Sequence, residues 1–200
     1  MKERPILFSG AMVRALLAGT KTQTRRMVKP QPQMVTNRTI VIWDGPASAL
    51  KYKLERIGRG CPCGQPGDRL WVRETWARTN VFPGTELVVY REGDNRTDYG
   101  GTWKPGIHMC RRDSRITLEV TGVRVERLQD ISEEDAQAEG ADSCVWDGIE
   151  DDIGALIDWP LKETANPYRN GYALLWEQIN GPASWASNPW VWVVEFRRLP

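Results

Sequence analysis

The sequence lacks long apolar runs and has very little histidine. Its 200 residues include one histidine and four cysteines. No apolar stretch approaches the roughly 20 residues that a membrane-spanning helix requires. The N-terminal segment 1–9 also lacks an apolar core of signal-peptide length. We therefore expect a soluble, cytoplasmic protein without a membrane partner, with a length typical of one domain.

The few cysteines do not follow the spacing of a disulfide framework or of a zinc knuckle. Cys61 and Cys63 are separated by one residue, whereas zinc knuckles usually place two to four residues between their thiols. Cys110, Cys144 and His108 lie far away in sequence and complete a tetrahedral site only if the fold gathers them. Free thiols are the favoured state in a cytosolic protein. We expect no metal and no cofactor.

The net charge is close to zero but unevenly distributed. The chain carries a formal charge of +1. Residues 1–60 contain twelve Lys or Arg and three Asp or Glu, whereas residues 61–200 contain fifteen and 23. A basic N-terminal part is compatible with a phosphate-bearing partner, and equally with pairing of the two regions inside one fold. The near-neutral total argues against tight, extended nucleic-acid binding.

Short strands outnumber helices in the predicted pattern. Helices are predicted over 10–18, 132–140 and 168–180, each ended by a glycine. Strands are predicted over 6–8, 69–76, 86–91, 115–128 and 189–199, with a bend at Gly122 and a further hairpin over 39–43 and 50–57. Residues 29–33 contain two prolines and predict a loop. The irregular alternation excludes a doubly wound sheet and favours an α+β, mainly β fold: a small barrel with a few peripheral helices.

One polar stretch, residues 19–26, follows the first predicted helix directly. It contains three threonines and three cations but no large apolar side chain. This composition is not that of a core strand. The stretch is either the exposed face of a solvated strand or a polar site held at the edge of a core. On a strand, Thr24 and Arg26 share a face, and Lys21 joins them only if the chain turns just after Gly19.

The order of these elements resembles the ASCH domain, which belongs to the PUA-like superfamily of small β-barrels. The similarity lies in Gly19-x-Lys21-Thr22-x-Thr24-x-Arg26, in Gly67-Asp68 before a strand, and in the later helix and terminal strand. The whole chain is similar to ASCH-like proteins of bacteriophages and prophages. The resemblance implies a single PUA-like domain over 1–200, with insertions at about 29–66, 92–114 and 141–167.

The resemblance also implies a set of site residues. One branch of the family consists of small bacterial amidohydrolases that remove the acyl group from N4-acetylcytidine. Carried over to this chain, its catalytic residues are Lys21, Thr24 and Glu139. A threonine nucleophile needs a nearby base, and burial or neighbouring cations would lower the pKa of Lys21 enough for that role. The negative end of its helix favours the protonated form of Glu139, which suits a general acid.

The expected substrate-binding residues are Arg26, Thr22, Arg25 and Trp71. A purely structural interpretation is also open for several of the site residues. A polar strand face is often solvated, and a tryptophan is often a core residue. A glutamate in an acidic helix, such as Glu139, usually faces water. The amidohydrolase hypothesis makes one geometric demand. Lys21, Thr24, Arg26 and Glu139 must line one pocket, and the head groups of Lys21 and Glu139 must lie on the same side of the domain.

Three functions are compatible with the sequence. The first is an ASCH-type amidohydrolase that acts on N4-acylated cytosine nucleosides or similar small amides. The second is an RNA- or nucleotide-binding PUA-like module that uses the same cleft without catalysis. The third is a phage accessory or morphogenesis-associated protein. The expected partner is a small nucleoside-like ligand or single-stranded RNA.

Overall fold

The chain folds into an α+β structure in which strands predominate. The computed structural model describes residues 1–29, 31–36, 40–43, 51–53, 60–82, 85–93, 101–143 and 166–200. The strands in these residues are β1 (Glu3–Leu7), β2 (Gln23–Met27), β3 (Pro32–Thr36), β4 (Ile40–Trp43), β5 (Lys51–Lys53), β6 (Arg69–Arg73), β7 (Trp76–Phe82), β8 (Thr85–Tyr90), β9 (Thr117–Arg127) and β10 (Trp190–Arg198). The α-helices are α1 (Gly10–Ala18), α2 (Glu133–Ala138) and α3 (Pro167–Asn180). Within these segments, no helix combines the length and the apolar character needed to cross a bilayer.

Five strands form the main sheet in the order β1–β6–β9–β10–β2. β1 and β6 run parallel, and the other neighbours run antiparallel. β9 and β10 pair along most of their length, and their register shifts by one residue beside Gly122. The bend predicted at Gly122 is therefore confirmed as an irregularity of the kind that increases local twist.

The two edges of the main sheet, β1 and β2, approach each other at one end. Among the described residues no ladder joins them, so the sheet is not a closed barrel there. The Arg26 side chain on β2 donates a hydrogen bond of 3.1 Å to the carbonyl of Leu7 at the end of β1. The space beside this contact is the candidate site described below.

Apolar side chains cover both faces of the main sheet. Successive residues of β10 point to opposite faces. Trp192 and Val194 pack in one core cluster with α1, whereas Val191 and Val193 pack in a second cluster with α2 and α3. The helix residues that complete these clusters are Met12, Val13 and Leu16 in the first and Ala136, Tyr172, Ala173 and Trp176 in the second. The edge strand β2 is consequently buried on both sides.

The helices agree closely with their predicted bounds. α1 coincides with the predicted helix and α3 begins one residue early. Gly19, Gly140 and Gly181 follow the three helices with φ angles of 79°, 74° and 93°, the left-handed region that favours glycine. The Ser132 hydroxyl caps α2 by accepting a 3.1 Å hydrogen bond from the backbone N–H of Asp135. The local end signals in the sequence were therefore sufficient to place these helices.

The smaller sheets include one wrong prediction and one strand that the pattern does not indicate. The loop predicted over 29–33 is wrong at its end, because β3 begins at Pro32 and pairs with β4; proline is tolerated as the first residue of a strand. The hairpin predicted over 39–43 and 50–57 is confirmed for the β4–β5 pairing, and its turn lies outside the described residues. β7, which pairs with β8, was likewise not predicted from the sequence.

Candidate functional site

A cleft of about 540 Å³ opens between the two edges of the main sheet. Its walls come from the end of β1, from β2, from the turn at residues 105–107 and from α3. The lining residues are Leu7, Phe8, Ser9, Met12, Thr24, Arg25, Arg26, Met27, Thr75, Pro105, Gly106, Ile107, Glu139, Tyr172, Leu175, Trp176, Ile179 and Asn180. Four of the predicted site residues, Thr24, Arg25, Arg26 and Glu139, are among them.

The stretch at residues 19–26 is not a solvated strand. Lys21, Gln23, Thr24 and Arg25 are only 1–3% exposed. Ionised side chains are rarely buried to this degree unless they are paired. The composition therefore reflects a polar site enclosed by the core, which was one of the two interpretations of the sequence.

The C-terminal end of α2 forms hydrogen bonds with residues 21–23 of the polar stretch. The last carbonyls of a helix have no partner inside the helix. The carbonyl of Ala138 accepts the backbone N–H of Thr22 at 2.8 Å, and the carbonyl of Asp135 accepts the Gln23 side-chain amide at 2.6 Å. The Lys21 ammonium donates to the carbonyl of Glu139 at 2.6 Å. Its charge also complements the negative end of the helix.

Two glycines allow Lys21 to reach this position. Gly19 ends α1 in the left-handed conformation, so the chain turns and the N–H of Lys21 donates to the carbonyl of Ala15. A Cβ atom at Gly140 would lie 2.7 Å from the Cβ of Ala15 and 3.2 Å from that of Lys21. Glycine at position 140 therefore lets the end of α2 approach α1 closely.

Lys21 and Glu139 form a buried ion pair. The Nζ of Lys21 lies 2.9 Å from Oε2 of Glu139, and their side chains are 0% and 1% exposed. The structure thus brings the two head groups to the same side of the domain, as the amidohydrolase hypothesis demands. Lys21 itself does not contribute to the cleft lining and lies 5.5 Å from the centre of the Phe8 ring, which does.

Burial lowers the pKa of Lys21 below its usual value, because removing the ammonium from water disfavours the charged form. The negative charge of Glu139 opposes this shift, and the cations Arg26 and Arg25 add to it. The direction agrees with the prediction made from the sequence. A lysine that loses its proton more readily is suited to act as a base.

Arg25 connects Glu139 to two further carboxylates. Its guanidinium donates to Glu139 at 3.0 Å, to Asp135 at 2.9 Å and to Glu126 at 2.5 Å. Arg124 contacts Glu126 and Asp135 from the more exposed side. We call Glu126, Asp135 and Glu139 the carboxylate cluster. Two cations, Lys21 and Arg25, thus contact the Glu139 carboxylate within 3.0 Å.

Thr24 lies on the other face of β2 from Arg25. The residue is 1% exposed, and its hydroxyl has no hydrogen-bond partner among the described residues. In particular, Lys21 does not contact it, so the expected hydrogen bond between nucleophile and base is not formed in this structure. A buried hydroxyl without a partner costs free energy. Its position in the cleft lining makes it available to a ligand.

Arg26 differs from Arg25 in its partners. Its guanidinium donates to the backbone carbonyls of Leu7 and Arg25 and lies 5.5 Å from the centre of the Phe8 ring. In the described part of the chain, no carboxylate lies within ion-pair distance of it. Arg26 therefore brings an uncompensated positive charge to the cleft wall.

The mouth of the cleft is apolar. Leu7, Ile107 and Ile179 all line it and are 48%, 56% and 52% exposed. A cluster of large, exposed apolar side chains usually marks a surface that binds a ligand or another molecule. The cleft thus combines an apolar entrance with a polar floor, as is typical of sites for small organic ligands.

Two of the predicted substrate-binding residues lie elsewhere. Thr22 is exposed and does not line the cleft. Trp71 on β6 is 8% exposed and stacks with Arg73 at 4.7 Å, outside the cleft lining. Trp71 therefore follows the core alternative. Arg25 does reach the cleft, but the carboxylate cluster occupies its guanidinium.

Several residues of the site carry no recognisable signal in the sequence. Glu126 and Asp135 lie more than one hundred residues from Arg25 along the chain. Tyr172 and Trp176 are predicted for the apolar face of their helix, but the sequence does not show that this face also forms a cleft wall. In the described segments no three His, Cys, Asp or Glu side chains are grouped in a way that could hold a metal ion; Cys144 lies outside those segments.

Comparisons of the chain with protein-family models, with curated proteins and with solved structures found no match. The interpretation of the site therefore depends on its own residues and contacts.

Proposed function

We propose that the cleft binds a small amide of the N4-acylated cytosine nucleoside type and hydrolyses its acyl amide bond. The observation that carries this proposal is the combination of the buried Lys21–Glu139 pair with a Thr24 hydroxyl that has no hydrogen-bond partner among the described residues. Both Thr24 and Glu139 line the same largely apolar cleft. An amide hydrolase without a metal needs a nucleophile, a base and an acid, and these three side chains supply them.

The hydrogen bond between Lys21 and Glu139 can generate the base and the acid together. Transfer of one proton across the 2.9 Å contact converts ammonium and carboxylate into amine and carboxylic acid. Burial favours this transfer at Lys21 because it disfavours the charged ammonium. Arg25 opposes it by stabilising the carboxylate. The balance between the two forms then sets the fraction of protein that is ready to react.

In the proposed reaction Thr24 attacks the amide carbonyl carbon. Lys21 takes the hydroxyl proton, for which its Nζ must leave the Glu139 carbonyl and reach Oγ1 of Thr24. Glu139 gives its proton to the departing amine as the carbon–nitrogen bond breaks. An acyl ester remains on Thr24, and water hydrolyses it to a carboxylic acid and the free hydroxyl.

Arg26 is suited to the developing negative charge. Its guanidinium has no carboxylate partner in the described residues, so its charge is free to stabilise the carbonyl oxygen of the bound amide. Such stabilisation is strongest where water is excluded. The apolar entrance formed by Leu7, Ile107 and Ile179 excludes water once a flat, uncharged base fills it.

We also propose that the fold is of the PUA-like type. The two sheet edges meet at the Arg26–Leu7 contact, and their approach at one end supports a small, incompletely closed barrel of the PUA-like type. Membership in the ASCH family remains a proposal that rests on the motif order in the sequence and on the meeting of Lys21 with Glu139.

A second candidate is a nucleotide- or single-stranded-RNA-binding module without turnover. One observation favours it: the backbone carbonyl and Oε2 of Glu139 both accept from the Lys21 ammonium, and no hydrogen bond joins Lys21 to Thr24. The unpaired charge of Arg26 also suits a phosphate. In this case the ion pair is structural and the cleft only recognises its ligand.

The two candidates are separated by incubating the protein with N4-acetylcytidine and following loss of the acylated chromophore. Hydrolysis that disappears in both Lys21→Ala and Thr24→Ala supports the enzyme. The absence of hydrolysis, together with RNA binding that weakens steeply with salt, supports the module. Hydrolysis that survives in Thr24→Ala would contradict the assignment of the nucleophile.

A further inference from the structure

Two thiols outside the cleft machinery lie one residue apart in a tight turn. Cys61 is 5% exposed and belongs to the first core cluster, whereas Cys63 is half-buried against it. The N–H of Gly64 donates to the carbonyl of Cys61 at 3.0 Å and closes the turn. Gly64 has a φ of 105°, a conformation that disfavours residues with a Cβ. The turn closes over the two cysteines, and their thiols interact with each other.

The charges around the pair differ for the two sulfurs. Arg26 and Arg4 lie near Cys63, and the buried Nε of Arg4 has no hydrogen-bond partner among the described residues. The hydrogen bond from Cys61, assisted by these cations, lowers the pKa of Cys63 to about 7. Cys61 is the donor in this bond, and its burial raises its pKa. Thiolate character and access are the two properties that make a cysteine reactive, and Cys63 has both.

We propose that Cys61 and Cys63 form a redox-active dithiol that closes to a disulfide by exchange with a low-molecular-weight disulfide. Cys63 thiolate attacks one sulfur of the small disulfide, a mixed disulfide forms and one small thiolate leaves. Cys61 then loses its proton to water and attacks the Cys63 sulfur, which releases the second small thiolate. Two electrons pass from the protein to the small disulfide, which becomes two thiols.

The arrangement fits a reversible bridge better than a permanent one. The two cysteines are separated by a single residue, so the ring closed by the bridge is very short. Bridges of this kind in reducing compartments are typically transient or redox-sensing. Arg26 lines the cleft and also faces Cys63, so the dithiol lies next to the candidate site.

The test uses the full chain with Cys110→Ser and Cys144→Ser, so that only the turn thiols remain. The protein is equilibrated in glutathione buffers of rising oxidised fraction, quenched in acid, alkylated and analysed by peptide mass. We expect a single transition from two alkylated thiols to none, with no retained glutathione. Retained glutathione on Cys63 throughout, or two thiols that stay alkylatable in oxidised glutathione, would overturn the proposal.

Two variants in the same background sharpen the result. Cys61→Ser removes the resolving thiol and should stop the reaction at the mixed disulfide on Cys63. Arg4→Gln removes one nearby cation and should shift the pH midpoint of Cys63 alkylation upward from about 7. Two results together would contradict a reactive thiolate in a normally folded protein. The midpoint with Arg4 present would lie near the ordinary cysteine value of roughly 8.5, and Arg4→Gln would not change it.

Discussion

Arg25 and Arg26 are neighbours on β2, yet the two sides of this strand serve different purposes. On the Arg25 side, three carboxylates compensate the buried positive charge of Arg25. A second arginine, Arg124, also pairs with one of these carboxylates. On the Arg26 side, the guanidinium donates hydrogen bonds to backbone carbonyls. In the described residues it has no carboxylate partner, and the Thr24 hydroxyl has no hydrogen-bond partner. The difference supports the proposal that one side stabilises the fold and that the other binds a ligand.

The largest expected effect comes from removing the charge on the structural side. Arg25→Met leaves three carboxylates with fewer cations, and loss of one partner from a buried ionic network is strongly destabilising. We expect the free energy of unfolding to fall by about 3 kcal/mol, measured by urea denaturation. A change close to zero would mean that the carboxylate cluster does not depend on Arg25.

The second largest effect should be a loss of stability in acid, again through the ion pairs of Arg25. Arg25 and Arg124 outweigh the burial that opposes ionisation and hold the pKa of Asp135 below 3.8. Because this pKa is lower in the folded state, the contribution of Asp135 to stability is present above pH 3.8 and is lost as the pH falls further. The wild type should therefore lose stability more steeply than Asp135→Asn below that pH in urea titrations. Parallel curves for the two proteins would contradict the ion-pair account.

Arg26→Met is the matched control for Arg25→Met and should have a smaller effect. The change removes hydrogen bonds to two carbonyls but leaves no carboxylate unpaired. We expect stability to fall by about 1 kcal/mol or less, while the affinity for a ligand of the cleft decreases. If Arg26→Met and Arg25→Met destabilise equally, the contrast between the two sides disappears.

Local features of the site could be predicted from the sequence. Glycine at position 19 ends α1 and turns the chain, which places Lys21 outside the regular alternation of β2. Alternation along β2 correctly separates Thr24 from Arg25. The meeting of Lys21 with Glu139 was implied by family resemblance, since nothing in residues 132–140 alone distinguishes Glu139 from an exposed helix residue.

The remaining features depend on contacts between distant parts of the chain. Glu126 on β9 reaches Arg25 across the intervening strand β10, and the sequence contains no local sign of that pairing. Trp71 was expected to contact substrate, but both sides of β6 are covered and the ring stays away from the cleft. Which face of a strand meets a cavity is decided by the packing of other elements, and a period of two cannot reveal it.

Thr24→Val should change stability least and activity most. It is therefore the most direct test of the proposal that Thr24 is the nucleophile. Valine preserves the shape of threonine and removes a buried hydroxyl that has no hydrogen-bond partner in the described part of the chain. Stability should therefore stay constant or rise by up to about 1 kcal/mol. The measurement is hydrolysis of N4-acetylcytidine by Thr24→Val and by the wild type at matched stability. We predict turnover by the wild type and none by the variant; equal turnover in both would contradict the account of the cleft.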